Sequence, residues 1–147
     1  MFSRQAMYQL ERFVAAQENI YPQVVNELSA GRKRSHWMWF IFPQLAGLGF
    51  SAMAQQYAVG GLAEARAYLA HPVLGPRLRE CSALVLAVRG ATVHGIFGAP
   101  DNMKFHSSMT LFAQAAPDEA LFRDCLDKYF GGVPDQATLD LLHKEKQ

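Results

Sequence analysis

Two cysteines, a net charge of +1 and no apolar run longer than six residues exclude several classes of protein from a chain of 147 residues. Cys81 and Cys125 are far apart and form no CxxC pair, and each falls on the apolar face of a predicted helix. That pattern predicts two buried free thiols rather than a disulfide or a catalytic thiol, as suits a reducing compartment. The near-zero charge gives no global field to recruit nucleic acid and leaves no acidic tail. The run from Trp37 to Phe42 falls far short of the roughly 20 residues that span a bilayer, and Met1 to Met7 lacks the apolar core of a secretory signal. No membrane partner and a cytoplasmic location are therefore expected.

Half the residues are apolar and 18% are charged, a globular balance. The period is helical nearly throughout. Leu10, Phe13, Val14 and Gln17 share one face, with Gln9, Glu11 and Arg12 turned outward. Pro22 suits a first helical turn and Gly31 a C-terminal cap. Trp37 to Phe42 is apolar on all sides, so periodicity leaves strand and helical turn equally open; Pro43 ends it. Ser51 caps a short helix. Leu62, Ala65 and Leu69 mark another, and Leu78, Cys81, Val85 and Val88 a strongly amphipathic one that Gly90 closes. One short turn is expected from Thr92 to Phe97. A longer helix should begin near Pro100 or Asp101 and run to about Ala115, with Phe105, Met109, Phe112 and Ala113 inward. Pro117-Asp118-Glu119 opens the next helix, and Asp135 caps the last, with Lys144 and Lys146 near its end. With no hairpin signal and no βαβ alternation, the fold class is all-α: a single compact domain of about seven or eight short helices over residues 1–147.

Chemistry concentrates in two stretches. No acid occurs between Glu27 and Glu64, yet Arg32, Lys33, Arg34 and His36 fall together there and lead into Trp37 and Trp39. Arginine suits bidentate recognition of phosphate or carboxylate, and an indole offers a stacking face. On an extended segment Trp37 and Trp39 would share a face. The competing reading is cations covering a helix end, followed by a core plug of tryptophans. In the second stretch, Asp101, Lys104, Ser107 and Ser108 lie within a helical arc of roughly 120°. They offer a carboxylate, an ammonium and two hydroxyls to a phosphate or diol, with Asp101 as a candidate general base. The competing reading is a local Asp–Lys pair, with hydroxyls bonded back to the helix. His36, His71, His94, His106 and His143 show no metal-ligand spacing, and neither a Walker loop nor a G-x-S-x-G elbow is present. No metal or cofactor is expected.

The residues Arg12-Phe13, Glu27-Leu28, Gly31-Arg32-Lys33, Ser35-His36-Trp37-Met38-Trp39-Phe40-Ile41-Phe42-Pro43-Gln44, Ile96-Phe97-Gly98, Asp101 with Lys104, and Ser107-Ser108-Met109 resemble an uncharacterised bacterial family of small proteins of unknown function, some of them mislabelled calpastatin. The resemblance covers nearly the whole chain. It implies a multihelical single-domain fold and no particular activity. One departure is His106, where the family pattern leads us to expect a basic residue, often arginine, before the two serines.

These observations define three expectations. The first is binding of an anionic or nucleotide-like small molecule by Arg32, Lys33, His36, Trp37, Trp39, Lys104, Ser107 and Ser108, the two stretches meeting in one site. The second is a hydrolase acting on a nucleotide-derived metabolite, with Asp101 or His36 as the acid–base group. The third is a protein-interaction module anchored on exposed tryptophans. Nucleic acid is the weakest partner class, given the charge. Oligomeric state is not legible in the sequence.

Overall fold

The computed structural model describes residues 8–145 of the chain. Met1 to Met7 and Lys146, on which two of the sequence expectations fall, lie outside the described residues. Within them the chain forms ten helices: α1 (Glu11–Gln17), α2 (Tyr21–Ser29), α3 (Met38–Ile41), α4 (Ala52–Gln56), α5 (Leu62–Ala70), α6 (Leu74–Ala87), α7 (Val93–Phe97), α8 (Asp101–Ala115), α9 (Ala120–Phe130) and α10 (Gln136–Glu145). The all-α expectation holds. The extra helices are short turns, α3 among them. The one extended pairing among the described residues is a parallel bridge between Leu45 and Val59.

The undecided apolar tract is helical for a local reason. A single turn satisfies its own backbone, with the Ile41 and Phe42 N–H groups donating to the Trp37 and Met38 carbonyls. A strand would need an edge to pair with. Pro43 then stops the turn, holding Phe42 out of the helical region at φ −121°, ψ 73°.

Helix α8 is the centre of the molecule. It packs against α5, α7, α9 and α10, and Phe105, Ala115 and every residue from Ser107 to Ala113 are buried. A helix covered on so many sides carries no wide polar stripe. Helices α5 and α6 pack together, α2 and α9 lie on α6, and α1 lies on α3. Aromatic contacts tie the α3 tract to this centre: the Phe42 and Phe105 rings meet edge to face at 5.1 Å, and Phe97 stacks on Phe105 at 4.8 Å.

Two glycines are required by geometry. Gly31, at φ +75°, closes α2: its N–H reaches the Leu28 carbonyl and the Arg32 N–H reaches back to the Glu27 carbonyl. Gly75 sits where α6 starts against the end of α5, and a Cβ there would lie 2.2 Å from the Leu69 carbonyl oxygen. Arg12, expected to face outward, instead staples α1 to the chain before α5. Its guanidinium donates to the Gln56 and Ala58 carbonyls, each at 2.8 Å, and to Glu64 at 3.2 Å. No helix among the described residues is long and apolar enough to cross a membrane. Both cysteines are free and buried.

Candidate functional site

Residues 32–37 follow α2 without regular secondary structure and alternate in exposure. Arg32, Arg34 and His36 are exposed, while Lys33, Ser35 and Trp37 turn inward. Each inward residue is fastened. The Lys33 N–H donates to the Ile96 carbonyl at 2.7 Å, and the Lys33 ammonium pairs with Asp101 at 2.8 Å. Ser35 and Trp37 are held by Glu27.

That carboxylate is the anchor of the stretch. It accepts hydrogen bonds from the Arg34 N–H at 2.7 Å, the Ser35 N–H at 2.9 Å, the Ser35 hydroxyl at 2.7 Å, the Trp37 indole N–H at 3.0 Å and the Gln23 amide at 3.0 Å. Burial alone would raise its pKa. The donors from Ser35, Arg34 and Trp37 outweigh burial and hold the carboxyl at about 2, below its ordinary 4.5. In sequence, Glu27 marks only the edge of the acid-free stretch. Its spacing from Ser35 and Trp37 carries no motif, so nothing in the sequence signals this role.

The two chemical stretches do meet. Asp101 receives Lys33 at 2.8 Å and Lys104 at 3.6 Å, so one carboxylate bridges both ammonium groups. Each ammonium also lies over an indole, Lys33 at 5.1 Å from the Trp37 ring and Lys104 at 4.9 Å from the Trp39 ring. The bridge divides the candidate residues between two faces. On one side an open groove of about 370 Å³ is lined by Arg32, Lys33, His94 and the backbone from Gly95 to Gly98. It adjoins a second hollow formed by Arg32, Lys33 and Arg34. The Arg32 and Arg34 guanidinium groups have no ion-pair or hydrogen-bond partner among the described residues. On the other side Lys104 and Ser107 line a separate cleft beside residues 44–54, and Trp39 lines a small recess that shares Lys104 with it.

Several expected roles change. Trp37 is completely buried, so its ring belongs to the core and has no face for a ligand. Ser108 is also completely buried, because α8 is covered on the side where a polar arc was expected. Ser107 is buried too, and its single hydroxyl proton is shared between the Met103 carbonyl at 3.1 Å and Asp135 at 3.2 Å. His36 is exposed and lines neither groove. Asp101 has both oxygens engaged by lysines and lines neither face, a poor position for taking a proton from a ligand. The interaction-module reading is favoured by tryptophans exposed on a flat patch and weakened by burial of both; Trp37 is enclosed and Trp39 half-buried, so the expected exposed pair is absent among the described residues. His94, passed over in sequence because it lacks metal spacing, is the additional residue of the basic groove. Its only sequence signal is its place three residues before the Phe97-Gly98 pair.

A family model described as "Protein of unknown function (DUF1810)" matches residues 7–142. The crystal structure of the conserved hypothetical protein Rv1873 from Mycobacterium tuberculosis is similar at 54% sequence identity. The match covers 92% of this chain and 97% of that one, with a TM-score of 0.91. None of the curated proteins matches.

Proposed function

From the premise that the chain belongs to the DUF1810 family of proteins of unknown function, which names no reaction, we propose that it binds an anionic small molecule, a phosphorylated or nucleotide-like metabolite, in the groove beside Arg32. The observation that carries this reading is the pair of guanidinium groups, Arg32 and Arg34, set on the outward positions of an anchored segment. A free arginine side chain gives up considerable rotamer entropy when it is immobilised. Here the backbone under both is already fixed by Glu27 and Ile96, which lowers the cost of ordering them on a ligand. Planar guanidinium groups present paired N–H donors that fit phosphate oxygens. Lys33 contributes less, because Asp101 already neutralises it. His94 and the Gly95–Gly98 backbone form the facing wall.

A thermal-shift screen with inorganic phosphate, sugar phosphates and nucleotides tests the reading. A ligand at one hundred times its dissociation constant adds about 2.7 kcal/mol, a rise of roughly 5–10 °C for a chain of this size. Arg32→Ala, at an exposed site, should stay within about 0.5 kcal/mol of wild-type stability and lose the ligand response. The reading fails if no phosphate compound shifts the wild type, or if Arg32→Ala and Arg34→Ala respond as the wild type does.

A further inference from the structure

Phe50, Met103 and Val133 are large hydrophobic residues left 81%, 65% and 61% exposed. Single exposed apolar residues are ordinary. Phe50 and Met103, however, both line one cleft of about 440 Å³, between residues 44–54, the start of α8 and the turn into α10. That volume is in the range of small-molecule sites. Polar groups stand between the two apolar lips: Gln44, Lys104, Ser107 and Asp135.

Beside the cleft lies a recess of about 10 Å³, room for one water, which is lined by Trp39 and shares Gln44, Ala54 and Lys104 with the cleft. The Trp39 indole N–H is buried and has no acceptor among the described residues. Buried donors are almost always paired, and the recess has room for one water that accepts from this N–H and can relay it to a group bound in the cleft. The Gln44 side-chain amide likewise makes no hydrogen bond among the described residues. Lys104 carries three N–H donors; it lies over the Trp39 ring and its ion pair with Asp101 is a long 3.6 Å, so N–H donors remain for a ligand. Donors therefore converge on the recess. On the α10 side the polarity reverses. Asp135 uses Oδ2 to accept from Ser107, from the Thr138 N–H and from the Thr138 hydroxyl. Its Oδ1 accepts nothing among the described residues.

Apolar lips, donors at one end and a free carboxylate oxygen at the other describe a flat ring with acceptors on one edge and an N–H on another. We infer that this cleft binds the heteroaromatic base of a nucleoside, packed between Phe50 and Met103. Its acceptor edge takes a hydrogen bond from Lys104 directly and from Trp39 through one water in the recess, and its amine or ring N–H donates to Asp135. An aromatic face and a thioether both favour such packing over an aliphatic ligand. A bare anion would use Lys104 and leave both lips without a role. This assignment does not need the anion groove, because a nucleoside has no phosphate.

The experiment is a titration of the ¹⁵N-labelled chain with adenosine, inosine, cytidine and uridine, monitoring the two indole N–H signals. Trp39→Phe removes one signal and so identifies the other as Trp37, whose N–H is already bonded to Glu27. At least one nucleoside should move the Trp39 signal and leave Trp37 in place. Phe50→Ala with Met103→Ala should weaken that response about tenfold while the fold persists, since both side chains are exposed. Arg32→Ala should leave it unchanged, which separates this site from the anion groove. Four results would each overturn the assignment. These are no movement with any of the four nucleosides, equal movement of both signals, movement that survives the double substitution, and the same movement produced by sodium phosphate alone.

Discussion

Replacing Glu27 by alanine removes the acceptor of five hydrogen bonds at once. The five donors do not lose equally. The Arg34 and Ser35 N–H groups are partly accessible and regain bonds from water at small net cost. The Trp37 indole N–H is enclosed, and a buried donor left unpaired costs about 1–3 kcal/mol. Bonds to a charged acceptor are worth about 1.5–3 kcal/mol each but do not add within one network. The expected total is near 3 kcal/mol, a fall in melting temperature of roughly 6–12 °C for a chain of this length. The pH dependence gives a second, independent signature. The folded carboxyl titrates at about 2 against an ordinary 4.5. Its contribution is therefore complete above 4.5 and is lost as pH falls from there through about 2. Melting of wild type and Glu27→Ala from pH 7 to pH 2, monitored by circular dichroism, should show a wide gap that closes over that interval. A gap below about 1 kcal/mol at pH 7, or one that stays constant on acidification, would refute the anchoring role.

Gly75→Ala should destabilise by about 1–3 kcal/mol through overpacking against the Leu69 carbonyl, measurable by urea denaturation. Burial pushes the thiols of Cys81 and Cys125 up to about 12, so the native chain should be inert to a disulfide exchange reagent at pH 8 and release two thiol equivalents only on unfolding. Asp101→Asn removes the countercharge of Lys33, whose side chain is nearly enclosed, and should lower stability by about 1–3 kcal/mol. Double substitution with Lys33→Met should recover part of that loss, a coupling readable from a thermal double-mutant cycle.

The helical periods are legible in the sequence because they are local. The helix expected from Asp101 to Ala115 is α8, and Gly131, at φ +62°, closes α9 as a left-handed cap. The surroundings of those helices are not legible, because they depend on partners distant in sequence. Phe105, Met109 and Phe112 show one apolar arc, yet Ser107, Ser108 and Thr110 are enclosed as well, since four helices surround α8. The tryptophans show the same limit. An extended segment would put Trp37 and Trp39 on one face. Trp37 instead precedes the helical turn that begins at Met38, at φ −131°, ψ 6°, and Trp39 lies within it, so the two rings share no face: one enters the core and the other stays at a rim. The contact between Lys33 and Asp101 agrees with the expected meeting of two stretches, but their division into two faces has no sequence signal. The cleft under Phe50 draws on three separate segments, and no window of sequence contains it.

The alternation along residues 32–37 separates two kinds of information written in one short string. Lys33, Ser35 and Trp37 specify attachment; Arg32, Arg34 and His36 specify what the surface shows. The outward row can be rewritten, charge for charge or to neutral residues, while the inward row keeps its bonds to Asp101, Glu27 and Ile96. The charge shown at this edge is thus open to redesign by substitution alone, without disturbing the scaffold beneath. The arrangement is intolerant of a change in count. Loss or gain of one residue between Arg32 and His36 would exchange the rows, presenting a cation to the space that encloses an indole.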